Sequence, residues 1–190
     1  MNRGISDKTK KLTLCAIMSA MGVVMLTLGS LVEVLDLSMA AIASMLCIVA
    51  VIEIGGIYSW MIYATTSILS VILYPAGTAC WFYLVFFGFY PIIKEKLEKL
   101  NKPLSWVLKI IIFNVSVVVY VLVAFFIFYG GVGTFSDILT QTFGESKFVS
   151  AFAIALPLIL NFIFVIYDIA LTRIISYYFI KVRHRLKFFK

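Results

Sequence analysis

One histidine, three cysteines, four prolines and nine acidic residues are all that 190 positions provide, and each scarcity closes off a class of chemistry. His184 stands in the basic tail "KVRHRLKFF", so a buried Ser-His-Asp relay or a histidine zinc site lacks its raw material. Cys15, Cys47 and Cys80 each fall inside an apolar run without paired spacing, which predicts neither a disulfide framework nor a thiolate metal site. No Gly-rich phosphate loop follows a strand pattern, and neither an ATPase signature nor a catalytic paired-carboxylate motif on a helix occurs. The expectation is a protein that is not an enzyme, with no cofactor and no metal.

What fills the chain instead is apolar. Hydrophobic residues make up 63% of the sequence and charged residues 13%, with a mean hydropathy of +1.09, far from the mix of a soluble domain. A bilayer core about 30 Å thick takes roughly 20 apolar residues per helix. The runs therefore predict an all-α integral membrane protein, a bundle of six transmembrane helices over 12–32, 37–53, 56–74, 78–93, 105–129 and 148–175. A basic lead (1–11) and a basic tail (176–190) flank this membrane domain (12–175). Only "EIGG" at 53–56 separates the second and third runs; Gly55 and Gly56 argue for a tight reversal there, and a single long broken helix would leave five spans.

Lysine and arginine give the orientation. Short loops rich in them stay cytoplasmic, and with both termini inside, Arg3, Lys8, Lys10, Lys11, Lys94, Lys96, Lys99, Lys102 and the tail all fall on that side. Lys147 alone falls outside. The formal net charge of +7 then reads as a membrane-orientation signal and gives no reason to invoke nucleic acid. The first run is too long for a secretory h-region and carries no A-x-A-like cleavage site, so it reads as a retained helix.

Polar residues inside apolar runs are costly and tend to face other helices. Lys109 and Asp168 both lie within roughly 10 Å of the inner boundary at 1.5 Å per residue, which allows a structural pair between the fifth and sixth runs. Asn114 and Asn161 suit interhelical hydrogen bonding. On the outer side, Glu33, Asp36, Tyr74, Trp81 and Tyr83, with Thr140 and Gln141 of the long connection 130–147, are candidate ligand-binding residues. The same residues also read as an aromatic belt and a solvated loop. With almost no Lys or Arg nearby, a bound small molecule would be neutral or cationic. On the inner side, Ile93, Leu97 and Leu100 in "FYPIIKEKLEKLNKP" predict a short amphipathic helix against anionic headgroups or a cytoplasmic partner.

The first run carries five small side chains in "CAIMSAMG" (15–22). Ala16 and Ala20 form a small-xxx-small pair that Cys15, Ser19 and Gly22 extend, a groove for another backbone or a packing face within the bundle. With the lead "TKKLTLCAIMSAMGVV", the six-run pattern and the Ala-x-x-x-Ala pair, the chain resembles the S components of energy-coupling factor (ECF) transporters, prokaryotic plasma-membrane subunits that capture vitamins. The resemblance implies docking through Ala16, Ser19 and Ala20 onto a transmembrane T component, itself bound to two cytoplasmic ATPase subunits. It further implies capture of a vitamin or related micronutrient at the outer face. A non-transporting membrane scaffold, such as a cell-shape protein like the rod-determining D subunit, has a similar size and bundle.

Overall fold

A small-residue face on each of the first three helices sets the architecture. In a computed structural model that describes residues 3–128, 147–178 and 180, α1 spans Arg3–Leu31, α2 Asp36–Glu53 and α3 Gly56–Leu73. Along α1, Cys15, Ser19, Gly22, Leu26 and Ser30 recur at helical spacing and all are buried. On α2 the buried row is Asp36, Ala40, Ala43, Cys47 and Ala50, and on α3 it is Ser59, Ile62, Thr66 and Ser70. Without large side chains between them the backbones come close. A Cβ placed on Gly22 would sit 2.9 Å from Thr66 Cγ2, and one on Gly29 2.6 Å from Met39 Cβ. Two of the buried hydroxyls bond to carbonyls of their own helices, Ser44 to Ala41 at 2.6 Å and Ser70 to Ser67 at 3.1 Å, and so enter the interior at little cost; among the described residues, Thr66 Oγ1 and Ser67 Oγ are buried without a hydrogen-bond partner.

The two connections are short. A 3₁₀ turn, Glu33–Leu35, joins α1 to α2. At the α2–α3 junction Gly55 adopts φ 105°, and its N–H reaches back 3.1 Å to the Ala50 carbonyl, a positive-φ extended conformation that only glycine takes without strain. The helix therefore breaks where "EIGG" predicts. Lys11 lies 5.7 Å over the Tyr58 ring and Cys15 Sγ lies 4.0 Å from the Tyr58 carbonyl, whereas Gly29 meets Met39 and Ala79. The starts of α1 and α3 thus share one end of the bundle, and the α1–α2 and α3–α4 turns share the other.

The fourth apolar run stays in helical geometry throughout but is not uniform: α4 (Thr78–Phe82), a π-helical stretch (Tyr83–Phe87) and α5 (Tyr90–Leu97) follow one another, with Gly88 and Phe89 in the right-handed helical region between them. Gly88 N–H bonds to the Tyr83 carbonyl at 2.8 Å, five residues back, and Tyr63 Oη donates to the Leu84 carbonyl at 2.8 Å. Pro91 occupies the first turn of α5, where its missing N–H costs nothing. Residues 98–101 separate α5 from α6 (Lys102–Phe128). Of the expected amphipathic helix over 89–103, α5 carries Ile93 and Leu97, while Leu100 lies in the turn and Lys102 and Pro103 in the first turn of α6. Aromatic contacts hold α6 to this run: Phe113 packs edge-on against Phe86 at 5.3 Å, and Tyr120, two turns on, stacks on Phe82 at 4.3 Å.

These elements make up one unit, Met1–Phe128; a second unit, Tyr129–Lys190, contributes α7 (Lys147–Tyr177), with Pro157 inside it. Phe164, Asp168 and Leu171 form its buried face. Among the described residues the protein is 91% helical without strands. Four helices there are long and apolar enough to cross a membrane, Lys8–Leu31, Asp36–Glu53, Lys102–Ile127 and Ala155–Tyr177, and Ile57–Leu73 is a shorter apolar helix. The chain is an all-α, multi-pass membrane protein.

Candidate functional site

Of the residues predicted to bind a ligand, Glu33, Asp36, Tyr74 and Trp81 lie at the end of the first unit where α1 meets α2 and α3 meets α4. Asp36 opens α2, where a carboxylate complements the helix N-terminus, and it is 9% exposed. It accepts a hydrogen bond from Thr78 Oγ1, the first residue of α4, so one carboxylate ties two helix starts together. Tyr74 follows α3 and is exposed; its carbonyl accepts from Gly77 N–H at 3.0 Å. Trp81 is half-buried and donates Nε1–H to the Pro75 carbonyl at 2.9 Å. Cys80 Sγ lies 2.8 Å from the Gly77 carbonyl. Asp36 and Trp81 are therefore engaged in closing this corner.

Tyr83 lies deeper. It is 1% exposed, and its hydroxyl sits 3.1 Å from Cys47 Sγ on α2. Thr66 lies beside the Tyr83 phenol and Ser67 beside Tyr63. With Ser44 and Ser70 these side chains form a buried polar strip through α2, α3 and the π-helical stretch. The strip escaped the sequence reading, although Ser59, Thr66 and Ser70 recur on one face of α3. Of the remaining candidates, Glu33 belongs to the 3₁₀ turn, and Thr140, Gln141 and most of the long connection lie outside the described residues.

The small residues of α1 divide between two faces. Cys15, Ser19 and Gly22 point into the bundle, while Ala16 and Ala20 are exposed among Ile17, Met21 and Val24. Ser19 is thus placed for internal packing and the alanines for something outside the unit.

Among the polar residues expected to be structural, Asn114 donates to the Ile110 carbonyl and Asn161 to the Pro157 carbonyl, each at 2.8 Å within its own helix. Lys109, 5% exposed, lies 3.5 Å from Glu98 Oε1 and 5.4 Å over the Trp106 ring. Glu98 also pairs with Lys94 at 3.2 Å, so one carboxylate serves two buried lysines. Lys94, only 1% exposed, was expected on a headgroup-facing surface. Its spacing from Glu98 was visible in sequence, but its burial was not. Asp168 lies on the buried face of α7 in the second unit.

The described residues include no group of three or more His, Cys, Asp or Glu side chains that could hold a metal ion. No family model, curated protein or solved structure matches the chain.

Proposed function

We propose that the chain is the substrate-capture membrane subunit of an ECF-type importer in a prokaryotic plasma membrane, with six spans and both termini cytoplasmic. The observation that carries the reading is the exposure of Ala16 and Ala20, one turn apart on α1, beside a face of the same helix whose small residues are already used inside. Two alanines leave the α1 backbone accessible from the side, the approach a second membrane helix needs. In this reading a T component packs there, carried by two cytoplasmic ATPase subunits. A neutral or cationic vitamin or related micronutrient binds on the side of the 32–35 and 74–77 turns. ATP hydrolysis in the partner module then topples the subunit within the bilayer and releases the molecule inside.

A second reading, a non-transporting scaffold, draws support from the closed corner, where Asp36 and Trp81 spend polar groups on intramolecular bonds. Purified protein melted against a panel of water-soluble vitamins separates the two. A true ligand at about a hundredfold its Kd stabilises by about 2.7 kcal/mol. The capture subunit predicts such a shift together with co-purifying ATPase and T-component chains; a flat panel and no such partners would favour the scaffold. The double variant Ala16→Leu/Ala20→Leu touches exposed positions, so it should keep the thermal midpoint and ligand shift while losing partner assembly.

A further inference from the structure

We propose that the α5–α6 corner is a recognition surface for an anionic phospholipid leaflet. Residues 94–109 carry five lysines, at 94, 96, 99, 102 and 109, against two glutamates, Glu95 and Glu98. The glutamates are committed: Glu95 to Lys99 at 2.8 Å, and Glu98 to the buried pair Lys94 and Lys109 at 3.2 and 3.5 Å. Lys96 and Lys102 are exposed, and among the described residues neither has an ion-pair partner. Lys99, though paired, remains 70% exposed at its side chain.

Apolar side chains share the corner with these charges. Leu100 is 44% exposed, Leu104 48% and Trp106 39%, and Pro103 is exposed beside them. Leucine and tryptophan interleaved with lysine at the mouth of a membrane-length helix form the pattern that enters the headgroup layer. The apolar groups seat between acyl chains while the ammonium groups meet phosphate. An acidic soluble protein would satisfy the charge but would leave three large apolar side chains at the water boundary. A lipid leaflet satisfies both. The corner lies at the same end of the bundle as the start of α1, where Lys8 and Lys10 are also exposed, so lysines from two segments share that end, with Glu53 at the close of α2.

Each lysine near an anionic leaflet contributes a factor of about five in binding. The test is retention of lipid by the full-length protein in detergent mixed with equal phosphatidylcholine and phosphatidylglycerol, quantified by mass spectrometry of the purified complex. Wild type should retain phosphatidylglycerol over phosphatidylcholine. Lys96→Gln/Lys102→Gln should lower that preference about tenfold or more, and Lys96→Arg/Lys102→Arg should preserve it. Circular dichroism and an unchanged elution volume certify that the glutamine variant folds. Inorganic phosphate at the same phosphate concentration should not displace the lipid. Equal retention of both lipids by wild type, unchanged selectivity in the glutamine variant, or displacement by phosphate alone would each overturn the proposal.

Discussion

Gly22 shows how much one missing side chain does in this bundle. Its absent Cβ leaves the α1 backbone against Thr66, and a methyl there would come 2.9 Å from Thr66 Cγ2 and 3.7 Å from Leu46 Cδ1. Gly22→Ala gains helix propensity of about 1 kcal/mol but overpacks the contact, which costs typically 1–3 kcal/mol. The balance is a lowered thermal midpoint. Thr66→Ser deletes the clashing methyl and keeps the hydroxyl, so the double variant should recover stability, with a coupling of at least about 0.5 kcal/mol in a denaturation cycle. Additive effects would show that the two helices separate enough to absorb the methyl. Tyr83→Phe acts at the same scale. It removes the hydroxyl 3.1 Å from Cys47 Sγ and should cost about 1 kcal/mol, read as a lower melting temperature with unchanged helical content.

At the scale of elements, the fourth run is where composition and structure part. "YLVFFGFYP" reads as an unbroken apolar helix because aromatics surround the single glycine, and nothing polar marks the π-helical stretch. The π-helical stretch lies where packing is tightest: a Cβ at Gly88 would lie 2.5 Å from the Tyr63 ring and 2.8 Å from that of Tyr83. Tyr63 then supplies the hydroxyl that satisfies the Leu84 carbonyl, a group that would otherwise be orphaned in an apolar interior. Tyr63→Phe should therefore destabilise the fold by about 1–3 kcal/mol, and amide exchange in 83–90 should rise before exchange in α2 does. Uniform exchange across both would place the hydroxyl's contribution elsewhere. By contrast, the α2–α3 break was legible, since a Gly-Gly pair supplies the positive-φ residue that a tight reversal needs in any solvent. The face of α1 was only half legible. Its 3.6-residue spacing shows two small stripes, but in a membrane both core and lipid are apolar. Sequence could not tell that Ser19 packs inward and Ala16 and Ala20 outward.

At the scale of the whole molecule, the cores of the helices come from side-chain size and the ends from charge. Lys8, Lys10 and Lys11 lie in the first half of α1, and Lys11 and Cys15 lie beside Tyr58 at the start of α3. The run α4–α5 leaves the far turn at 74–77 and returns past Tyr63 to the lysines of 94–102, which places the basic corner at the end shared by the starts of α1 and α3. Lysine-rich short segments stay on the cytoplasmic side, so the 98–101 turn should face the cytoplasm and the 74–77 turn the exterior. Cys15, Cys47 and Cys80 are all buried, which gives a quiet background for thiol labelling. Ala76 and Asn101 are exposed in the two turns. Ala76→Cys should react with a membrane-impermeant maleimide in intact cells, and Asn101→Cys only after the membrane is opened. Labelling of both from one side would mean that the α4–α5 run does not cross the bilayer. In that case its π-helical stretch would be a dip into the leaflet and back, and the count of spans would fall by one.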